Sequence, residues 1–261
     1  MPLTLFENYQ LLPAFLLVLF RMAGLMVSAP LFSGTLLPTP VKVLLVVAMS
    51  AALFPMVLPA VVAPVTLGSA LTGLFGELCI GILLGFGVTL LFSGIQLGMQ
   101  AAAQQAGLGL ANSFDPTMET ETADVVQLYN LVAMFMFLGI GGHRALIRAL
   151  LDSFQSIPPL QFAFGGAMLD VVVRMIGASF TIAIRVGGPV MLTLLLAFVT
   201  LGFVSRTVPQ LNILNIGFPL KLMLAMLVMA LTILAFEKVF LDSLADFLNL
   251  TREALGLAPQ Y

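Results

Sequence analysis

Charged residues are scarce in this sequence, and their scarcity limits the kind of protein it can be. Asp, Glu, Lys and Arg together make up 8% of the 261 residues, whereas 61% are hydrophobic. Ordinary soluble domains carry about 25% charged residues, so these few charges cannot cover a water-soluble surface. Stretches without any of the four charged types approach or exceed the roughly 20 residues of a membrane span, at 22–41, 43–76, 78–114, 125–143 and 186–205. Lipid or other proteins must therefore surround this chain.

Metal-binding and redox-active residues are also scarce. The sequence has one cysteine, Cys79, and one histidine, His143. A single cysteine cannot form an internal disulfide, and these two residues offer little for metal coordination. The net charge of −2 provides no basic surface for nucleic acid. We therefore expect no metal, no cofactor and no nucleic-acid partner.

Catalytic motifs are missing as well. The sequence contains no G-x-S-x-G, no Walker-type phosphate loop and no H-E-x-x-H, although catalysis needs a positioned nucleophile or acid–base pair. An intramembrane aspartyl protease would need two opposed aspartates within helices, and only Asp170 lies in such a stretch. We expect a protein that is not an enzyme and has no catalytic residues.

Proline and glycine divide the apolar sequence into about six helical stretches. They cover approximately 9–29, 41–62, 68–104, 123–140, 167–205 and 212–239. This pattern predicts an all-α, polytopic membrane protein of about six long helices arranged as hairpins. A single helix over 68–104 would be ~55 Å long at about 1.5 Å per residue, against a ~30 Å hydrocarbon core. We expect this helix and that over 167–205 to bend, break or leave the bilayer.

Small and polar residues recur at helical spacing between Glu77 and Gln105. Two small-xxx-small patterns, Gly81/Gly85 and Gly94/Gly98, the second extended by Ala102, are typical of helices whose backbones approach closely. Glutamines recur every four residues and form a ridge on one helix face, at Gln96, Gln100 and Gln104. This ridge fits interhelical hydrogen bonding, and it also fits the wetted lining of a conduit.

Ionisable residues interrupt several apolar stretches. Asp170 and Arg174 are four residues apart in the order that favours a helical ion pair, and Arg185 returns to nearly the same face. Such residues usually face a protein interior or an aqueous cavity and are functional candidates by default. They fit a structural pair between subunits, and equally a secondary transporter or a stand-alone channel. Arg21 and Glu77 are also isolated charges, and the sequence does not show whether they meet.

A segment of mixed character, GLGLANSFDPTMETETAD, separates two of the apolar stretches at 107–124. Its first half is too apolar for a merely solvated loop, and its glycines supply backbone freedom. Proline at 116 disfavours a helical conformation at Asp115. The pattern indicates a flexible apolar finger on a polar hinge, and a plain membrane-surface loop is the alternative. The candidate residues are Gly107, Leu108, Gly109, Leu110, Phe114, Asp115, Pro116 and Met118.

Three segments together resemble the FliR family of flagellar biosynthesis proteins, which is related to the SctT family. The first is the glycine-rich loop from Gly107 to Pro116. The second is GGHRALIRALLDSFQSIP at 141–158, and the third and most specific is SRTVPQLNILNIGFPLK at 205–221. In the third segment, the residues that follow the family's order are Arg206, Pro209, Gln210, Asn212, Gly217, Phe218, Pro219 and Lys221. The acidic tail TMETETAD departs from the family pattern.

The resemblance implies a structural and gating subunit of the flagellar type III protein export channel in the bacterial inner membrane, within the basal body. It implies co-assembly with FliP and FliQ homologues into a helical hetero-oligomeric gate, contact with FlhB and FlhA homologues and the basal-body ring, and passage of unfolded flagellar substrates. A FliP-like part would cover 1–185 and a FliQ-like hairpin 186–261.

The resemblance also assigns roles to the candidate residues. The loop 107–122 would be the plug that closes the conduit, and the segment 206–221 would pack against partner subunits. The glutamine ridge would belong to that interface or line the conduit.

Overall fold

The computed structural model describes residues 11–34, 38–57, 67–108, 124–160, 166–207 and 213–254. No strand is found in these ranges, which are almost wholly helical. The helices are α1 (Leu11–Ser28), α2 (Pro30–Ser33), α3 (Thr39–Val57), α4 (Leu67–Ala106), α5 (Asp124–Gly139), α6 (Gly142–Ser156), α7 (Gly166–Thr207) and α8 (Ile213–Ala254).

Among the described residues, four helical segments are long and apolar enough to cross a membrane: Thr39–Val57, Gly73–Ala106, Met168–Thr207 and Gly217–Glu253. Helices α5 and α6 would together form a fifth span, bent by 61°. The prediction of an all-α polytopic membrane protein is therefore confirmed.

Helices α4 and α7 do not break, contrary to one of the outcomes that we expected. They run continuously over 40 and 42 residues. At about 1.5 Å per residue each is ~60 Å long, about twice the ~30 Å hydrocarbon core. Glycine keeps its backbone N–H, so it does not interrupt the helical hydrogen bonds. Helix α7 also continues through Pro189, as membrane helices tolerate proline.

Helix α6 was not among the predicted stretches, since its charged residues suggested a connection. Its buried residues lie three or four apart, as one face of an amphipathic helix requires, at Gly142, Leu146, Ala149, Leu150, Ser153 and Phe154. Gly141, with φ of 76°, precedes the helix and makes the turn from α5. This left-handed conformation suits glycine because it has no Cβ.

Helix α8 also continues beyond the predicted end at residue 239, to Ala254. The charges from Glu237 to Arg252 are compatible with an exposed helix face, and no proline or glycine follows Pro219 within the helix. The predicted end near residue 239 was therefore wrong.

The chain forms two compact units. Unit 1 takes its described residues from Met1–Leu90, Phe137–Met175 and Ala245–Tyr261, and unit 2 takes its own from Leu91–Met136 and Ile176–Leu244. The division between residues 185 and 186 expected from the resemblance falls inside α7 and stays a prediction.

Unit 1 is built around the crossing of α1 and α4. A Cβ added at Gly81 would overlap the carbonyl oxygen of Arg21, and one added at Gly85 would overlap the hydroxyl of Ser28. Gly24 contributes the matching gap from α1, where a Cβ would meet the carbonyl of Leu78. The predicted close approach of helix backbones at Gly81 and Gly85 is confirmed.

Unit 2 contains a second crossing of the same kind, between α4 and α7. A Cβ on Gly98 would overlap the carbonyl of Ala183, and one on Gly187 would overlap the carbonyl of Gly98. Gly94 lies against Ser179. The Gly94/Gly98 prediction is likewise confirmed, and Ala102, which extends the pattern, is fully buried.

Candidate functional site

A buried ion pair lies at the centre of unit 1. Arg21 of α1 is 0% exposed and Glu77 of α4 is 1% exposed. The Nε of Arg21 donates to Oε2 of Glu77 over 2.5 Å. The two isolated charges of the sequence therefore meet.

The remaining donors of Arg21 connect this pair to α6. Nη1 donates to the hydroxyl of Ser153 over 3.0 Å, and Nη2 donates to the carbonyl oxygen of Ile157 over 3.1 Å. The guanidinium carbon lies 3.9 Å from the ring centroid of Phe154, a cation–π geometry that strengthens when water is excluded. One arginine thus connects three helices.

Glu77 is held from its other side. The backbone N–H of Leu160 donates to its Oε1 over 3.4 Å, and Leu160 itself has φ of 73°. We call Arg21, Glu77, Ser153, Phe154 and the backbone of Ile157 and Leu160 the buried polar centre.

The glycine crossing and the buried polar centre are parts of one arrangement. Gly81 is one turn after Glu77, and its missing Cβ allows the Arg21 backbone to approach α4. A Cβ at Gly81 would push the two helix backbones apart and so move the guanidinium of Arg21 away from the carboxylate of Glu77. Removing one member of a buried pair costs about 3–5 kcal/mol, because the other charge is left without compensation.

The predicted Asp170–Arg174 pair is confirmed, at 3.2 Å between Arg174 Nε and Asp170 Oδ2. Arg174 also makes two hydrogen bonds to Glu253 of α8, of 2.6 and 3.1 Å, a contact that the sequence did not indicate. All three side chains are substantially exposed, at 71%, 44% and 52%. Arg185 is exposed, and no ion pair of Arg185 is found among the described residues.

A further ion pair, also not predicted, joins α6 to α8. Nη1 of Arg252 donates to Oδ2 of Asp152 over 3.1 Å, and the Arg252 side chain is only 8% exposed. The sequence could have suggested this pair only after α6 had been recognised as a helix. The signal would then have been the helical spacing of Asp152 from the buried residues of α6.

The glutamine ridge is partly exposed on the surface of this chain. Gln96 and Gln104 are exposed, and Gln100 is half-buried with its Oε1 lacking a hydrogen-bond partner among the described residues. The neighbouring Gln105 donates to the carbonyl of Met191 over 3.0 Å.

The start of the predicted plug is described, and the rest lies outside the described residues. Gly107 has φ of 92°. Its N–H donates to the carbonyl oxygen of Gln104 over 3.0 Å, and the N–H of Leu108 donates to the carbonyl oxygen of Ala103, also over 3.0 Å. This is a Schellman arrangement, which ends a helix at a left-handed glycine. The residues not described are Gly109, Leu110, Phe114, Asp115, Pro116 and Met118.

The segment 205–221 is described at its two ends. Arg206 is exposed in the last turn of α7, and Gly217 is buried near the start of α8. Phe218 is 44% exposed, Pro219 is exposed and Lys221 is half-buried. Pro209, Gln210 and Asn212 lie outside the described residues.

Within the part of the chain that the structure describes, no group of three or more His, Cys, Asp or Glu side chains could hold a metal ion. The ionisable clusters that are described pair internally as acid with base. Three of the four described ion pairs join two different helices, and Asp170–Arg174 lies within α7.

Comparison with known proteins extends over nearly the whole chain. Residues 12–247 match the family described as bacterial export proteins, family 1. The flagellar biosynthetic protein FliR of Buchnera aphidicola subsp. Acyrthosiphon pisum is 34% identical over 181 residues, which are 66% of this chain and 68% of that protein. The FliR of Escherichia coli K12 is 30% identical over 217 residues, 81% of each chain. That of Bacillus subtilis 168 is 28% identical over 215 residues, 81% of this chain and 83% of its own.

Proposed function

The chain belongs to family 1 of the bacterial export proteins, the family of the flagellar biosynthetic protein FliR, and we propose that it is a structural and gating subunit of a flagellar protein export channel. The observation that supports this most strongly is the extent of the match, from residue 12 in α1 to residue 247 in α8. It includes the loop 107–122 and the segment 205–221.

The proposed assembly is a helical gate in the bacterial inner membrane, formed with FliP and FliQ homologues and contacted by FlhB and FlhA homologues. The exposed apolar surface supports a need for partners. Of the candidate spans, those in α3 and α8 are each only 11% buried within the chain, compared with 61% for that in α4. Lipid or partner helices must cover these faces, because apolar surface exposed to water is unfavourable.

The proposed plug is the loop 107–122, which would close the conduit until a substrate enters. A Schellman turn at Gly107 ends α4 where this loop begins. The apolar residues that follow, Leu108, Leu110 and Phe114, are suited to a seal, because a hydrophobic constriction blocks ions by losing its water.

The proposed interface is the segment 206–221 between α7 and α8, with the glutamine ridge as a second contact. Phe218 and Pro219 are exposed at the start of a candidate span. Gln210 and Asn212 would provide polar contacts to FliQ and FlhB homologues.

A secondary transporter is the competing function. It would use Asp170, Arg174 and Arg185 to bind a solute or ion. Two of these three charges, Asp170 and Arg174, are instead engaged with one another, and Arg174 also with Glu253. This pairing favours the structural role.

Deletion of the gene in the source bacterium tests the proposal. The deletion strain should lack filaments and should retain flagellar substrates in the cytoplasm, and a plasmid copy should restore both. A strain that still exports filament protein but fails to take up or extrude a small solute would support the transporter and reject the export subunit.

A further inference from the structure

A small cavity lies between α6 and α8 at the surface of unit 1. Its volume is about 220 Å³, and it is lined by Ala145, Arg148, Ala149, Asp152, Leu248, Thr251 and Arg252. It shares no lining residue with the buried polar centre, and none of the proposed roles uses it.

The cavity has an excess of positive charge. Its ionisable lining residues are Arg148, Asp152 and Arg252, which are two cations and one anion. The Arg252 side chain is 8% exposed and is bound to Asp152, so its guanidinium is fixed in place. Arg148 is exposed, and no hydrogen bond or ion pair of Arg148 is found in the described part of the chain. Arginine is suited to phosphate because its planar fork donates two parallel N–H bonds.

The surroundings of α6 indicate where such a phosphate comes from. Helix α5 is apolar, and Leu138 and Ile140 at its end are 38% and 48% exposed. The chain then bends by 61° into α6, whose buried face is apolar and whose exposed face carries Arg144 and Arg148. Basic residues that directly follow exposed apolar residues of a candidate span are typical of the bilayer surface, where anionic lipid phosphates attract them.

We propose that this cavity binds the headgroup phosphate of an anionic phospholipid, with Arg148 and Arg252 as its donors. The single excess positive charge favours a lipid with net charge −1 over a zwitterionic one, whose ammonium group would be repelled. The proposed site goes beyond the export function and requires only that this end of unit 1 reach the membrane surface.

Photolabelling in membranes tests the site without relying on export. Membranes containing the full chain and its partners would be fused with phosphatidylcholine vesicles that contain phosphatidylglycerol with a diazirine close to its glycerol. After irradiation, labelled peptides from 142–156 and 245–254 would be quantified by mass spectrometry. Labelling should be several-fold stronger than with the matching phosphatidylcholine probe, and unlabelled phosphatidylglycerol should compete whereas inorganic phosphate should not.

The substitution Arg148→Gln should lower the labelling of these peptides about tenfold, equivalent to about 1.4 kcal/mol. Arg144→Gln is the matched control, because it removes the same charge one turn away on the same helix and does not line the cavity. It should leave labelling within about twofold.

Three results would overturn the proposal. Equal loss of labelling in Arg148→Gln and Arg144→Gln would mean that the basic surface of α6 attracts lipid without forming a defined binding site. Full competition by inorganic phosphate would mean a free-anion site. Absence of lipid label from both peptides would mean that no anionic lipid occupies the cavity. Because filament export is scored separately, failure of the lipid site is distinguishable from failure of the proposed function.

Discussion

At the scale of single residues, the buried Arg21–Glu77 pair is the feature whose loss should matter most for stability. Both side chains lie within apolar helices, and Arg21 also bonds to Ser153 and Ile157. Their sequence separation of 56 positions gave no indication that they meet. Isolated charges in apolar stretches suggested interior positions, but the partner of each depends on tertiary packing.

Replacing Glu77 by leucine should destabilise the protein by about 3–5 kcal/mol, because the Arg21 charge would stay buried without its partner. The double substitution Arg21→Met with Glu77→Leu should recover most of that loss, since an apolar pair of similar volume leaves no buried charge. The measurement is the fraction of complex that stays monodisperse in size-exclusion chromatography after heating.

Glu253→Gln is a suitable control in the same assay, because Glu253 is half exposed and exposed pairs contribute little. If the double variant were as unstable as Glu77→Leu alone, the pair would have a role other than mutual neutralisation.

Gly81 provides a second prediction at this scale. Alanine at Gly81 would overlap the Arg21 carbonyl and should cost about 1–3 kcal/mol through forced separation of the helices. Alanine at Gly177, whose surroundings are open, should be neutral or stabilising by up to about 1 kcal/mol, because alanine favours helix more than glycine. Heat-challenge chromatography of the two variants side by side checks this. A Gly177 variant as unstable as the Gly81 variant would show that helix flexibility, not close packing, explains the effect.

At the scale of helices, proline and glycine positions predicted the long apolar helices well, but they did not predict the amphipathic helix α6. Helix α4, predicted over 68–104, extends over Leu67–Ala106, since its glycines are spaced for packing and do not disrupt it. Helix α6 was missed because four ionisable residues obscured an apolar face that only a three-to-four-residue count reveals. The small-residue patterns predicted close approach correctly, but not which helix would approach.

The plug loop supplies a prediction that belongs to this scale. Deleting Leu108–Phe114 should leave assembly intact and raise ion leakage, because the wall of the conduit would remain while its apolar seal is lost. Single-channel conductance of the purified complex measures this directly, with Asp115→Ala as the control, which should alter the hinge more than the seal. A deletion variant that assembles normally and stays as impermeable as the parent would exclude this loop as the plug.

The connection between α7 and α8 supplies another prediction at the scale of helices. Replacing Gln210 and Asn212 together by leucine should weaken co-purification with FliQ and FlhB homologues, because their polar groups would face protein rather than lipid. Thr200→Leu is a matched control, since Thr200 is exposed on α7 and its hydroxyl is bonded to the carbonyl of Leu196 within its own helix. Unchanged recovery of partners with the double variant would refute this interface.

At the scale of the whole molecule, the chain has too little polar surface to exist alone in water. Many large apolar side chains are exposed, especially along α7 and α8, among them Phe198, Phe203, Met223 and Leu234 at 68–80%. The composition predicted this need for an apolar environment, but composition cannot tell lipid from protein, since both bury the same side chains. The family match favours protein partners for part of this surface.

Co-purification tests the central claim, co-assembly into an export gate, most directly. The chain would be produced in Escherichia coli with an affinity tag, alone and together with FliP and FliQ homologues from the same bacterium, and the detergent extracts would be compared by size-exclusion chromatography with mass measurement. The account predicts that the chain alone is degraded or aggregated, and that co-expression yields one complex of fixed mass containing all three proteins. Recovery of an equally stable, monodisperse single chain, with FliP and FliQ homologues eluting apart from it, would contradict the account.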